Sequence, residues 1–234
     1  AENKTLTVVQ DLTYFNQSND TIKTLVLNDW MNAYSDKNSY LGKRFSDEFV
    51  RSFHFAPEKE LGNTNSIFIV DDNNQVVTWS RPQNQVDLLE IVLTEKILPF
   101  EKKVLHLSYQ VKIPSDRFTK YGYDATHESF KLRDWYLVPA RYENHQFIRY
   151  SNADTDDIAN GICDYELVVN VPNDYKVTSD LTEASATKIG ERFSYVYSGK
   201  ERQDISLYIE PKPKFYSFKN DEVVDNLQYV LEKI

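Results

Sequence analysis

Cysteine is almost missing from this chain. Of 234 residues only Cys163 is one, so no internal disulfide can form. The fold must be held by its core, and a chain of this length can bury roughly 70% of its unfolded surface without bridges. A single cysteine fits either a reducing compartment or an export route that dispenses with disulfides. Glycine is scarce too, at 6 residues, and no glycine-rich loop that could cradle a phosphate occurs. Histidine occurs 4 times, as His54, His106, His127 and His145. The zinc-hydrolase pattern H-E-x-x-H fails at its nearest approach, His127-Glu128-Ser129-Phe130-Lys131, where a lysine cation replaces the second ligand. There is no G-x-S-x-G nucleophile elbow. No apolar run approaches the ~20 residues that span a bilayer. Basic excess is absent as well. Lys and Arg number 27 against 36 Asp and Glu, a net charge of −9 with the acids scattered, which argues against nucleic acid or an anionic membrane as partner.

What is present is β pattern. Aromatics make up 14% of the chain, with 16 Tyr, and many Tyr beside few Gly suit strands. Residues 5–15 alternate, a polar turn follows at 16–20, and residues 21–30 predict a second strand that closes a hairpin on the first. Leu41, Phe45, Phe49 and Phe53 recur every four residues and predict one helix near 41–53, stopped before Pro57. NSIFIV (65–70) and QVVTWS (75–80) flank DDNN and read as a hairpin. Leu105, Leu107, Tyr109, Val111 and Ile113 share one face of a half-solvated strand, with His106, Ser108, Gln110 and Lys112 on the other. Further strands are expected at 86–93, 146–150, 165–171, 175–178, 193–197 and 205–209. The class is all-β, mainly antiparallel, a sandwich or an open curved sheet. PKPKFY (211–216) reads as a linker. Asn220 could cap a C-terminal helix with Val223, Leu227, Val230 or Leu231, and Ile234 on one face. That face reaches the last residue, so more protein is expected to follow. The start, AENKT, has neither initiator Met nor apolar export core and is expected to be a processed start.

Candidate chemistry is sparse. Cys163 lies in no basic setting that would make it a nucleophile, and reads as a small hydrophobe. Asp154, Asp156 and Asp157 could bind calcium but lack EF-hand spacing, and a solvated acidic loop competes. Paired carboxylates for glycoside hydrolysis are always available among so many acids. Tyr121, Tyr123, Trp135 and Tyr136 could form an aromatic platform for a sugar or peptide, or simply pack in the core. The stretch Glu128–Tyr142, ESFKLRDWYLVPARY, concentrates aromatics and charges between two strand regions.

Four segments occur in an order that resembles a known family. They are DLTYFNQSNDTIKTLVLNDWMNAY (11–34), LGKRFSDEF (41–49), LRDWYLVPARY (132–142) and YELVVNVPNDYKVTSDL (165–181). Together they resemble the N-terminal domain of zinc aminopeptidases of the aminopeptidase-N (gluzincin) type, in the branch found in Bacteroidetes-like bacteria. The most specific parts are N-D-W-x-N-A-Y (28–34) and R-x-W-Y-x-V-P (133–139). The resemblance covers nearly the whole chain. It implies a saddle-like antiparallel β domain over residues 1–213, with 214–234 a linker and the start of a following domain. Such a domain packs on a thermolysin-like catalytic domain, its partner, and closes one side of the cleft. The catalytic domain would hold the zinc, the H-E-x-x-H and a G-x-M-E-N motif. This chain has none of these, and its only Met, Met31, lies outside any such motif. The chain alone is therefore expected to be inactive and to need no cofactor of its own. The resemblance also implies one substrate-binding residue. Family members place Glu or Gln five residues before an Arg, where it helps hold the free amino terminus of the peptide substrate. Glu128 and Arg133 have that spacing. The residues that follow, DWYLVPARY, depart from the family's R-x-F-P-C-x-D-x-P pattern, and a surface Glu or an ion pair with Lys131 is the competing reading. A cell-envelope, periplasmic or secreted location is favoured over a cytoplasmic one. A stand-alone β-sandwich binding or adhesion module using the aromatic surface is the alternative function.

Overall fold

The alternation at 103–113 becomes the central strand of a three-stranded sheet. The computed structural model describes residues 4–153, 160–213, 219–220 and 223–224. The first half of the chain forms β1 (Thr5–Phe15), β2 (Ile22–Asn28), a 3-10 turn at Trp30–Ser35, helices α1 (Tyr40–Asp47) and α2 (Arg51–His54), a 3-10 turn at Glu58–Glu60, β3 (Asn63–Asp71), β4 (Thr78–Ser80), β5 (Leu88–Ile97) and β6 (Lys102–Lys112). The second half adds β7 (Gly122–Asp124), β8 (Ser129–Arg133), β9 (Val138–Pro139), β10 (Tyr142–Glu143), β11 (Gln146–Phe147), β12 (Cys163–Pro172), β13 (Tyr175–Ser179), β14 (Thr182–Ile189), β15 (Arg192–Arg202) and β16 (Ser206–Pro211). The sheets run β1-β6-β3, β4-β5-β2-β9, β13-β16-β8-β7 and β12-β15-β14, with β10-β11 a small pair. Each of these strand pairs is antiparallel. The protein is thus mainly antiparallel β with a few short helices, as the alternation implies. Leu105, Leu107, Tyr109, Val111 and Ile113 are all buried, in a core continuous with residues of every four- and three-stranded sheet. No helix among the described residues is long and apolar enough to cross a membrane.

Two expected hairpins are broken in an instructive way. β1 pairs along all 11 of its residues with β6, while β2 pairs with β5 and β9, so the two do not close on each other. Asn16 is the reason. Fully buried, it donates its side-chain amide to the carbonyls of Asp20 and Leu98, and its Oδ1 accepts from Ser18. Its backbone exchanges hydrogen bonds with Phe100 and Glu101. The turn is bonded to the β5–β6 connection as well as to itself, and the chain changes sheet there. The DDNN turn does form, with Asp71 Oδ1 accepting from the amides of Asn73 and Gln75. Past the Val70–Val76 bridge, however, the chain leaves β3, and β4 pairs with β5.

The single helix expected near 41–53 is two. Val50 N–H donates to Phe45 O at 2.7 Å and Phe49 N–H to Ser46 O at 3.1 Å, with Phe49 at φ 58. That is a Schellman cap, and it ends α1. Leu41 and Phe53 are buried as the spacing implies, but Phe49 is 82% exposed. The four-residue period marked the aromatics correctly and hid the cap, because the cap position ordinarily carries glycine. β14 has no hydrophobic pattern at all. All 8 of its residues are exposed, and only pairing with β15 defines it as a strand. Where the C-terminal helix was expected to begin, Lys219–Asn220 pair antiparallel with Val223–Val224; residues 225–234 lie outside the described residues.

Phe49 occupies a left-handed position and buries almost nothing, so Phe49→Gly should stabilise the protein. The expected gain is about 0.5–1 kcal/mol. It should be read as a higher urea midpoint with an unchanged m value.

Candidate functional site

The two most specific motifs are distant in sequence and adjacent in the fold. β2 carries the start of N-D-W-x-N-A-Y and pairs with β9, the end of R-x-W-Y-x-V-P, through Leu27–Pro139 and Asn28–Val138. A buried relay joins them again. Trp30 Nε1 donates to Asn160 Oδ1 at 2.8 Å, and Asn160 Nδ2 donates to Asp134 Oδ1 at 2.7 Å. Asn152 Nδ2 donates to the Trp30 carbonyl at 3.2 Å. All four residues are buried, where an unpaired polar group is costly, so these bonds dictate how the segments pack.

Between β8 and β9 the chain crosses from one sheet to another, and Leu137 lies there fully buried outside any strand. Side chains replace the missing ladder. Leu137 N–H donates to Tyr109 Oη at 3.1 Å, Tyr109 donates to Gln10 Oε1 at 2.5 Å, and Gln10 Nε2 donates to the Leu137 carbonyl at 2.8 Å. This closed ring ties the crossing to β1 and β6. Burial pushes the Tyr109 phenol well above its ordinary range, so it remains a neutral hydrogen-bond donor.

Three acids lie inside this region. Asp134 sits at φ 51, and burial pushes its carboxyl up to about 6, although the Asn160 amide and the Arg133 guanidinium oppose the shift. Arg133 itself is engaged by Asp204 at 2.5 and 2.8 Å and by Tyr121 Oη at 3.2 Å. Asp29 accepts from Thr64 Oγ1 and pairs with Arg81, both at 2.6 Å. Asp87 accepts from Ser151 Oγ and the Asn152 amide. Burial raises both of these carboxyls. Each is only 2% exposed, so they are structural acids out of a substrate's reach. A cavity of about 10 Å³ lies against Trp30, Met31, Tyr34, Tyr121, Arg133, Asp134 and Asn152. Its size suits one water molecule, and Asn152 Oδ1 is buried there without a protein partner.

Glu128 is elsewhere, exposed in the β7–β8 turn at φ 51. It immediately precedes β8, and Arg133 ends that strand. Among the described residues Glu128 makes no ion pair with Lys131, which acts electrostatically on Asp116. The β8–β16 ladder ends at Phe130–Ile209, short of Glu128, and Tyr175 pairs with Pro211 at the end of β16. Burial and then the Glu128 charge raise the phenols of Tyr123 and Tyr175. Lys4 Nζ lies over the Tyr123 ring, 4.2 Å from its centre.

The other candidates disperse. Trp135 and Tyr136 are each 7% exposed, so no surface platform of four aromatics exists. His106 pairs with Asp11, His127 with Asp124, His145 with Asp20, and His54 bonds the Gly42 carbonyl. Among the described residues no three His, Cys, Asp or Glu side chains group so as to hold a metal ion, so they do not fit a zinc site. Cys163 is half-buried, and burial pushes its thiol up, away from thiolate. Asp154, Asp156 and Asp157 lie outside the described residues. Sequence reasoning missed Asn152, Asn160, Asp87 and Tyr175, since a lone polar residue carries no spacing signal.

No protein-family model and no curated protein matches the sequence. Among solved structures, the chain is similar to the M1 zinc metallopeptidase from Deinococcus radiodurans, at 12% identity and a TM-score of 0.47, over 92% of this chain and 41% of that one. It is similar to a mutant of that metallopeptidase bound to a Tyr-Ser-Ala substrate, at 11% identity and a TM-score of 0.47, over 93% and 42% of the two chains. This chain therefore spans about two fifths of the length of those structures.

Two variants probe the buried network. Tyr109→Phe leaves the Leu137 amide without a partner and should cost about 2–3 kcal/mol in urea unfolding. Asp134 titrates near pH 6 when folded and near ~4 when unfolded, so wild-type stability falls as pH rises through that window. Asp134→Asn keeps the acceptor for Asn160 and loses the titration. Its stability should fall less steeply there, since Asp29 and Asp87 still contribute, and should exceed the wild type at pH 7–8 by about 2–3 kcal/mol, read from unfolding curves across pH 4–8.

Proposed function

We propose that this chain is the non-catalytic N-terminal β domain of a zinc metallo-aminopeptidase, formed by residues 1–213. It packs on a catalytic domain that follows and lines one side of the substrate cleft. The observation that carries this reading is the union of the two motifs. N-D-W-x-N-A-Y and R-x-W-Y-x-V-P, which bear the resemblance most specifically, are one hydrogen-bonded unit through Leu27–Pro139 and Trp30–Asn160–Asp134. Segments that co-occur by chance have no reason to share a buried relay.

In this reading Glu128 meets the α-ammonium of a peptide. A carboxylate at the closed end of a cleft pairs with that charge and so selects removal of terminal residues over internal cleavage. Hydrolysis belongs to the zinc and general base of the catalytic domain, and no bond-breaking step is assigned to this chain.

The 234-residue chain should not turn over an amino-acid anilide with or without added zinc, and calorimetry should find no tight zinc site. Zinc-dependent turnover abolished by a chelator would overturn the proposal. So would a reading frame that runs on from Ile234 without an H-E-x-x-H.

A further inference from the structure

Among the described residues no strand covers the outer edge of β14 in the sheet β12-β15-β14. All 8 residues of β14 are exposed, on both faces, so a second strand can approach it without meeting another element. Such an edge presents unpaired N–H and C=O groups, and native sheets commonly blunt it with a lysine or a bulge. β14 has both. Lys188 lies near its end, and the register against β15 shifts between Glu183 and Ser185, which leaves Ala184 as the extra residue.

That bulge decides which side chains share a face. Glu183 and Lys188 are an odd number of residues apart, and in a regular strand they would point to opposite sides. The observed register sets Glu183 opposite Tyr197 and Lys188 opposite Phe193. Tyr197 and Phe193 are an even number apart on β15, so Glu183 and Lys188 emerge on one face. Ala186, opposite Tyr195, lies midway between them on that face. Glu183 accepts a long bond of 3.5 Å from Tyr197 Oη, and among the described residues neither Glu183 nor Lys188 makes an ion pair.

An antiparallel strand that pairs with its own copy about a two-fold axis sets residues of one face opposite each other. With the axis at Ala186, Glu183 of each copy stands opposite Lys188 of the other. Ser185 then meets Thr187, and Thr182 meets Ile189 at both ends. This register uses the whole strand, and opposite charges directly across a ladder attract. Moving the axis by one residue shortens the ladder and sets Glu183 or Lys188 opposite Ala186 instead. Without the bulge, no closed two-fold pair would join the glutamate to the lysine.

We propose that β14 is a self-recognition edge, through which two copies of this chain pair antiparallel over Thr182–Ile189 about Ala186 and join their three-stranded sheets into one of six strands. The occupant is a second copy because the charges on this edge complement the edge itself. The contact is small, so the dimer is weak, with a Kd on the order of 100 μM.

Sedimentation velocity of the 234-residue chain from about 10 μM to about 1 mM should show a reversible monomer–dimer equilibrium. Glu183→Lys sets lysine opposite lysine, Lys188→Glu sets acid opposite acid, and each should weaken the dimer about tenfold. Combined in one chain, the two substitutions should restore the wild-type Kd, and mixing the two single variants should give a heterodimer. Ala186→Cys should form a disulfide-linked dimer on oxidation, mapped by peptide mass to position 186, because the two copies meet at the axis. Thr182→Cys, whose copies lie at opposite ends of the ladder, should not. A chain that stays monomeric across this range overturns the proposal. A dimer that neither charge reversal weakens forms at another surface and overturns it equally. So does a loss of dimer that the double variant fails to repair.

Discussion

The peptide group of Leu137 is fully buried where the chain crosses between two sheets, and it has no neighbouring strand to bond. Much else depends on how that group is satisfied. Tyr109 and Gln10 close a hydrogen-bonded ring around it, and both stand on the β1–β6 pair. The register of β1 against β6 is therefore linked to the position of the crossing. A one-residue slip would turn Gln10 to the opposite face and leave the crossing unbonded. The crossing in turn delivers Val138 and Pro139 to the edge of β2 and Asp134 to Asn160. One buried peptide thus couples three of the sheets.

The interior next to this crossing is unusually polar for a core. Trp30, Asn152, Asn160, Asp29, Asp87 and Asp134 are all buried, and hydrogen bonds link most of them through a few shared partners. Such a network specifies geometry more than it adds stability, because each member must find its own partner or incur its desolvation cost. Asn152 and Asn160 both bond Trp30, one at its carbonyl and the other at its indole N–H. Arg133 Nε lies 3.7 Å from Asp134 but holds Asp204 more closely, and burial still leaves the Asp134 carboxyl raised.

The exposed β7–β8 turn and the buried network meet in β8. Arg133 ends the strand inside the network, and Glu128 precedes it at the solvent end. A strand anchored by a half-buried ion pair and hydrogen bonds is a rigid mount, and a rigid mount suits a carboxylate that must meet a ligand at a set distance. The same rigidity keeps Lys4 over Tyr123, since the bonds of Ile113 and Pro114 fix both backbones.

Much of the secondary structure was legible from local pattern alone. The alternation at 105–113 and 165–171, the Asp71 turn and the all-β class follow from side chains that must face either core or water. Composition also excluded disulfides, and the lysine at 131 excluded the one approach to a zinc motif. Pairing was not legible in this way. Whether β1 closes on β2 depends on the bonds Asn16 makes to Leu98, Phe100 and Glu101 on the β5–β6 connection, far along the chain. The strand β14 and the left-handed Phe49 have no signature in their own residues. Glu128 could be singled out in the sequence, but its neighbours could not. Tyr123 and Lys4 come from distant segments, and only the join between β1 and β7 brings the ammonium over the ring. Local sequence determined which residues are strand and which face is apolar, because that choice is made by neighbours in the chain. Tertiary structure decided the partners, because a hydrogen-bond donor in the core must be met by whatever group the fold brings to it.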